Sequence, residues 1–183
     1  MATGLNRALQ VRTADRLRAE LARDSVTGLP VASALSEADR IELCEVGGGR
    51  LAAVAICIDS WTPGEVELNL AQQDRERTLV VREVARLVDK HVRRTDLVGW
   101  LSRQALLVLA PGIDAVGGRS LAVRIQVLLA ERRVDIDGMS LALRVRVGTA
   151  SRCYASPSSW TVSGLIAEAE LQASEPVALR TVG

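Results

Sequence analysis

Residues 96–111 read Asp-Leu-Val-Gly-Trp-Leu-Ser-Arg-Gln-Ala-Leu-Leu-Val-Leu-Ala-Pro, two apolar runs on either side of a polar tip at Ser102-Arg103, followed by Gly112. Runs of this length, rich in Leu and Val and punctuated by polar residues and then Pro-Gly, predict a β-hairpin. An antiparallel pair is thereby set in the middle of the chain, and the remaining elements have to be arranged around it.

Helical and strand patterns interleave on both sides of the hairpin. Leu5, Leu9, Leu17 and Leu21 recur at multiples of four with arginines between them. They predict a helix within residues 1–23 whose narrow stripe seats either a partner helix, a second copy, or the chain's own domain. Gly28 and Pro30 stop that helix. A second helix is expected over 31–41 and a loop at Gly47-Gly48-Gly49. The continuous apolar run Leu51 to Ile58 suits a strand buried on both faces. Residues 65–92 read as a helix with Val81, Val84, Ala85 and Val88 on its apolar side. Beyond the hairpin, Ala122, Ile125 and Leu129 mark one face of a helix over 119–131. Leu141, Leu143, Val145 and Val147 alternate with Ala142, Arg144 and Arg146, a half-exposed strand. A last helix over 161–173, capped by Ser159 or Thr161, and a closing strand over 177–182 complete the order. Helices interleaved with strands imply an α+β (α/β) domain over 24–183, with a mixed central sheet flanked by helices.

Composition bounds the chemistry open to such a domain. Hydrophobic residues make up 48% of the 183 positions, enough for a core, and the absence of Phe leaves aliphatic side chains to fill it. Lys and Arg number 23 against 22 Asp and Glu, so the cationic surplus that nucleic-acid binding draws on is missing. With 2% aromatics there is no stacking platform for bases either, and no nucleic-acid partner is expected. Cys44, Cys57 and Cys153 lack metal-ligand spacing and read as free thiols in a reducing compartment. No run approaches a membrane span and the N-terminus has no apolar signal core, so a soluble cytoplasmic chain is expected. His91 falls at a helix C-terminus, where it serves the helix dipole rather than catalysis. Trp160 and Tyr154 are expected as core or loop anchors.

Three stretches carry a family resemblance. Asp24-Ser25-Val26-Thr27-Gly28-Leu29-Pro30, the strand end Cys57-Ile58-Asp59-Ser60-Trp61-Thr62 and the hairpin resemble, in order, motifs of the GGDEF family of diguanylate cyclases. That family enters its domain with Asp-x-Leu-Thr-Gly-Leu-Pro-Asn-Arg; here Val31 and Ala32 replace the last two. The resemblance covers nearly all of the chain after Asp24 and implies a fold related to nucleotide cyclases and the polymerase palm. In the family the strand ends in Asp-x-Asp-x-Phe-Lys and its first Asp binds magnesium. Cys57 stands at that position, and Asp59 stands at the second, non-ligand one, where a structural role is implied. The family's guanine-holding Asn and Asp fall on Glu65 and Asp74 without a gap. Aligned instead on Val84-Ala85 they fall on Asn69 and Thr78, the preferred register, which keeps one of the two contacts.

The hairpin tip of the family reads Arg-x-Gly-Gly-Asp/Glu-Glu-Phe. Here Ser102 and Arg103 put side chains where the glycines admit a triphosphate, and Gln104 and Ala105 replace the two acids. A phosphate-binding Lys near the end of the family's domain is also absent from Ala173-Ser174-Glu175-Pro176. Magnesium takes oxygen ligands and a thiol is a poor substitute, while phosphodiester formation depends on that metal. The resemblance therefore implies a degenerate domain without cyclase activity, metal or cofactor.

One ligand feature of the family remains in Arg93-x-x-Asp96. Active cyclases carry the same spacing at an inhibitory product site, where the Arg grips a guanine edge of cyclic di-GMP and the Asp takes guanine N–H groups. Arg124, on the following helix, is the candidate for the second Arg that often assists. Two functions are expected from this. One is a cyclic di-GMP receptor in bacterial signal transduction, built on Arg93, Asp96 and Arg124. The alternative is a regulatory protein-interaction module that binds no nucleotide and works through the N-terminal leucines and the Arg103 tip. GTP binding without turnover, through Asn69, is a third and weaker expectation.

Overall fold

The computed structural model describes residues 10–16, 19, 21–25, 28–37, 43, 47–62, 70–153 and 160–174. Its elements are α1 (Ala32–Glu37), β1 (Arg50–Thr62), α2 (Leu70–His91), β2 (Leu97–Ser102), β3 (Ala105–Pro111), α3 (Ala115–Glu131), β4 (Arg133–Ile136), β5 (Met139–Cys153) and α4 (Val162–Ser174). The five strands form one sheet in the order β2-β3-β1-β5-β4.

The α+β class and the helix-flanked sheet follow the sequence reading, with one correction. Among the described residues the strand pairings are all antiparallel, and the parallel contact is the isolated bridge between Val31 and Trp100. Connectivity explains this. β1 and β2, joined across α2, run in the same direction, but β3 inserts between them, so each strand's neighbour runs the opposite way.

β1 is the centre of the molecule. Ala52, Val54, Ile56 and Ile58 point to one side, into a core closed by Val80, Val81, Val84 and Val88 of α2 and by Leu121, Ile125 and Leu129 of α3. Leu51, Ala53 and Ala55 point to the other, against Leu35 of α1 and Leu165, Ile166 and Ala169 of α4. This is the double burial that its unbroken apolar run predicts. Burying each large aliphatic side chain contributes roughly 1.5–3 kcal/mol, which lets the core do without Phe. Trp160 is buried in the second core, as an anchor should be.

Several boundaries move, each for a local reason. The hairpin turns at Arg103-Gln104, because Ser102 already pairs with Ala105 after a register shift. α3 begins at Ala115, ahead of the expected 119, because Asp114 caps it and its side chain accepts from Gly117 N at 2.9 Å. α4 is capped by Thr161, whose Oγ1 accepts from Gly164 N at 3.0 Å. A second hairpin, β4–β5, was not expected. Its turn is Asp137-Gly138, with φ of 49° and 83°, the pair of positive values that a two-residue turn between twisted strands requires.

The expected N-terminal helix is described over 10–16, where Ala14 is buried and Asp15 pairs with Arg94 at 3.0 Å. Leu21 packs against the second core. These residues face their own domain. Leu5, Leu9, Leu17, Asn69, Glu65, Cys44, Tyr154 and the closing strand over 177–182 lie outside the described residues. Among the described residues no helix is long and apolar enough to cross a membrane.

Candidate functional site

The two ends of β1 carry different chemistry. At its first residue the chain gathers cations. The backbone N–H of Gly112 donates to Arg50 O at 2.8 Å, which brings the start of β1 beside the start of α3. Arg50 then lies 3.7 Å from Asp114. The turn after α2 approaches the same place. Asp96 is 1% exposed; its Oδ2 accepts from Arg93 N at 2.8 Å, while its own N–H donates to Arg93 O at 3.0 Å. The carboxylate thus fixes the turn that projects Arg93. Arg124 reaches back from α3 and donates to the carbonyl of His91 at 3.3 Å, near the negative end of the α2 dipole.

These contacts enclose an open cleft of about 340 Å³ whose walls include Arg50, Arg93, Asp96, Asp114 and Arg124. The three residues expected at the ligand site, Arg93, Asp96 and Arg124, share it. Arg50 and Asp114 join them unforeseen. The hydrogen bond from Gly117 N, seconded by Arg50, holds the Asp114 carboxyl below its ordinary range. Guanidinium forks beside fixed carboxylates can take the edges of a purine or a phosphate.

The other end of β1 carries the positions matched to the family's catalytic acids. Cys57 stands opposite Ala105 on β3 and Arg146 on β5. Ile58 N donates to Gln104 O at 2.8 Å, so Gln104 meets β1 through its backbone. Ser102 and Arg103 are exposed at the tip. Burial pushes the half-buried Cys57 thiol above its ordinary value, against the opposing pull of Arg146, which keeps it protonated at neutral pH. Asp59 is engaged. Arg146 donates from Nε to Asp59 Oδ2 and from Nη2 to Oδ1, both at 2.7 Å, and from Nη1 to the carbonyls of Ala173 and Ser174 at 2.9 Å. One guanidinium thereby joins β1, β5 and the last turn of α4. Trp61, where the family has Phe, donates from its indole to Glu76 at 3.2 Å and lies under Arg77.

This donor set does not fit magnesium: a protonated thiol, a methyl group at Ala105, and a carboxylate already neutralised by arginine. Among the described residues, no group of three or more His, Cys, Asp or Glu is placed to hold a metal ion.

The Asp59–Arg146 pair has a pH signature. Its hydrogen bonds lower the Asp59 carboxyl from an ordinary value of 3.8. A carboxylate lowered in the folded state contributes stability above its unfolded value, lost as pH falls through the folded value. Melting temperature should therefore decline from about pH 4 downward, and Asp59→Asn should flatten that part of the wild-type profile. A variant that keeps the full acid dependence would place its origin in other carboxylates.

No family model matches the chain, and no curated protein matches it. Solved structures do. The FimX GGDEF domain from Pseudomonas aeruginosa is 13% identical, with a TM-score of 0.63 over 82% of this chain and 90% of that one. The GGDEF domain of DgcB from Caulobacter crescentus, in complex with c-di-GMP, is 17% identical, with a TM-score of 0.60 over 82% and 86%. The diguanylate cyclase SiaD from Pseudomonas aeruginosa, in complex with its activator SiaC, is 20% identical, with a TM-score of 0.62 over 82% of this chain and 56% of that one. Through a sheet centred on a doubly buried strand, with a hairpin at one edge and Arg93-x-x-Asp96 leading into it, the chain has a GGDEF-like fold.

Proposed function

We propose that this chain is a GGDEF-type domain that has lost cyclase chemistry and acts as a receptor for cyclic di-GMP. The observation that supports the reading is the cleft at the head of β1, where Arg93 and Arg124 converge beside Asp96. Cyclic di-GMP offers what such a cleft takes: guanine O6 and N7 for a guanidinium fork, and phosphates for the second cation. Asp96 orients Arg93 through the turn. The relative that holds c-di-GMP lends the same reading support by its fold. Calorimetric titration of the wild type with cyclic di-GMP should give saturable heat, and Arg93→Ala should weaken binding at least about tenfold, the loss expected for a charge-assisted hydrogen bond. No heat from the wild type at high micromolar ligand ends the reading.

A protein-interaction role is favoured by a separate observation. α3 exposes Val116, Val123 and Val127 at 64%, 60% and 45%, a spacing that sets them along one side of the helix. The Arg103 tip is also exposed, whereas Ala14 and Leu21 of the N-terminal segment pack inward. A chain that stays monomeric and ignores cyclic di-GMP, yet loses a partner on Val123→Glu, would transfer the function to this face.

A further inference from the structure

A larger cleft lies on the other side of Arg93. It has a volume of about 650 Å³ and is bordered by α2, the turn after it and the segment around Pro30. Its walls carry Arg23, Arg82, Arg86, Arg93 and Arg94 against the acids Glu83 and Asp89, and Leu29, Val92 and Val98 form apolar floor. Some of these cations are committed. Arg86 pairs with Glu83, Arg94 with Asp15 outside the cleft, and Arg23 donates to Gly28 O at 2.8 Å. Arg82 and Arg93 have no ion pair among the described residues. Arg82, Arg86 and Asp89 follow one another at helical spacing on α2, and Arg93 stands in the turn beyond its end. One turn on from Arg82 there is thus a second guanidinium, whose charge Glu83 offsets. An anion seated in the cleft would pair with Arg82 and Arg93.

We infer that this cleft is a second anion site, taking a phosphate-bearing small molecule, and that it competes with the smaller cleft for Arg93. Excess guanidinium over an apolar floor matches a ligand with phosphate at one end and a flat or apolar body at the other. Arg93 borders both clefts. A guanidinium turned to a phosphate on one side is withdrawn from a ligand on the other, so occupancy of either site lowers affinity at its neighbour, and does so reciprocally. This coupling rests on the proposed receptor role, while the anion site itself does not.

Pyrophosphate is the probe, titrated at low ionic strength into the full chain and followed by the arginine Nε–Hε resonances and by calorimetry. Wild type should bind it saturably, with the Arg82 and Arg93 resonances moving together. Arg82→Ala should weaken pyrophosphate about tenfold, should leave cyclic di-GMP affinity unchanged, and should keep a wild-type melting temperature. At a pyrophosphate concentration that just saturates wild type, cyclic di-GMP affinity should fall several-fold in wild type and clearly less in Arg82→Ala, whose site is then mostly empty. Equal pyrophosphate binding by wild type and Arg82→Ala overturns the site. Additive binding of the two ligands overturns the competition. Should cyclic di-GMP not bind at all, the receptor reading and the coupling fall together, and the pyrophosphate arm still decides the cleft.

Discussion

Gly148→Val should lower the melting temperature by about 6–12 °C, or remove folded protein from the soluble fraction. Gly148 lies on β5 where α4 crosses the sheet. A Cβ there would sit 2.2 Å from Ala169 O and 2.3 Å from Ala173 N. Both are backbone atoms of the helix, so no side chain can turn aside to make room. The helix would have to lift from the sheet, opening the second core around Leu165, Ile166 and Ala169 and straining the ion pair of Arg152 with Glu168. Overpacking of this kind costs about 3 kcal/mol at the upper end of its usual range, and in a domain of this size each kcal/mol moves the melting point by about 2–4 °C. Gly138→Ala is the control. Its φ is 83° but no neighbour lies within 4 Å of the added methyl, so the left-handed backbone alone is strained, at about 1–2 kcal/mol. Equal losses in the two variants would show that α4 does not pack its backbone against Gly148.

Given GTP with magnesium or manganese, the purified chain should form neither pppGpG nor a cyclic dinucleotide. The deficit against a working cyclase should be on the order of 10⁴-fold or more, because groups that act together fail together. The reaction needs a divalent ion to activate a 3′-hydroxyl and to spread the charge of the triphosphate. Cys57 is kept protonated by burial, its partner across the strands is Ala105, and Asp59 is occupied by Arg146. Cys57→Asp alone should stay silent, since one restored carboxylate faces a methyl group and a fixed guanidinium. Chromatography of the nucleotide pool decides the matter, and metal-dependent product from the wild type would overturn the proposed loss of activity.

The fold was largely legible because hydrophobic periodicity reports burial directly. Val81, Val84, Ala85 and Val88 are all in the core, and the unbroken run of β1 is covered on both sides. β4 escaped because a strand of four residues carrying Arg133 and Asp135 leaves too short an apolar pattern, although Asp137-Gly138 is a strong two-residue turn. The sheet's uniformly antiparallel pairing was illegible for a different reason: strand order is a property of topology, not of any one segment. At the site, Arg93 and Asp96 stand close enough in sequence to be read as a unit. Arg50 and Asp114 do not. They meet through the register that sets Leu51 opposite Pro111. Arg146 read as the solvent side of an alternating strand, yet a register shift between Ile58 and Ser60 brings Asp59 within its reach.

Because alternate residues of β1 serve opposite layers, neither layer can peel away and leave the other intact. Loss of α1 and α4 would wet the same strand that α2 and α3 require dry, so the domain must melt as a unit. Any coupling between the cation-rich head of β1 at Arg50 and Asp59 would then run along about 30 Å of one strand, by displacement of its ends rather than by release of a helix.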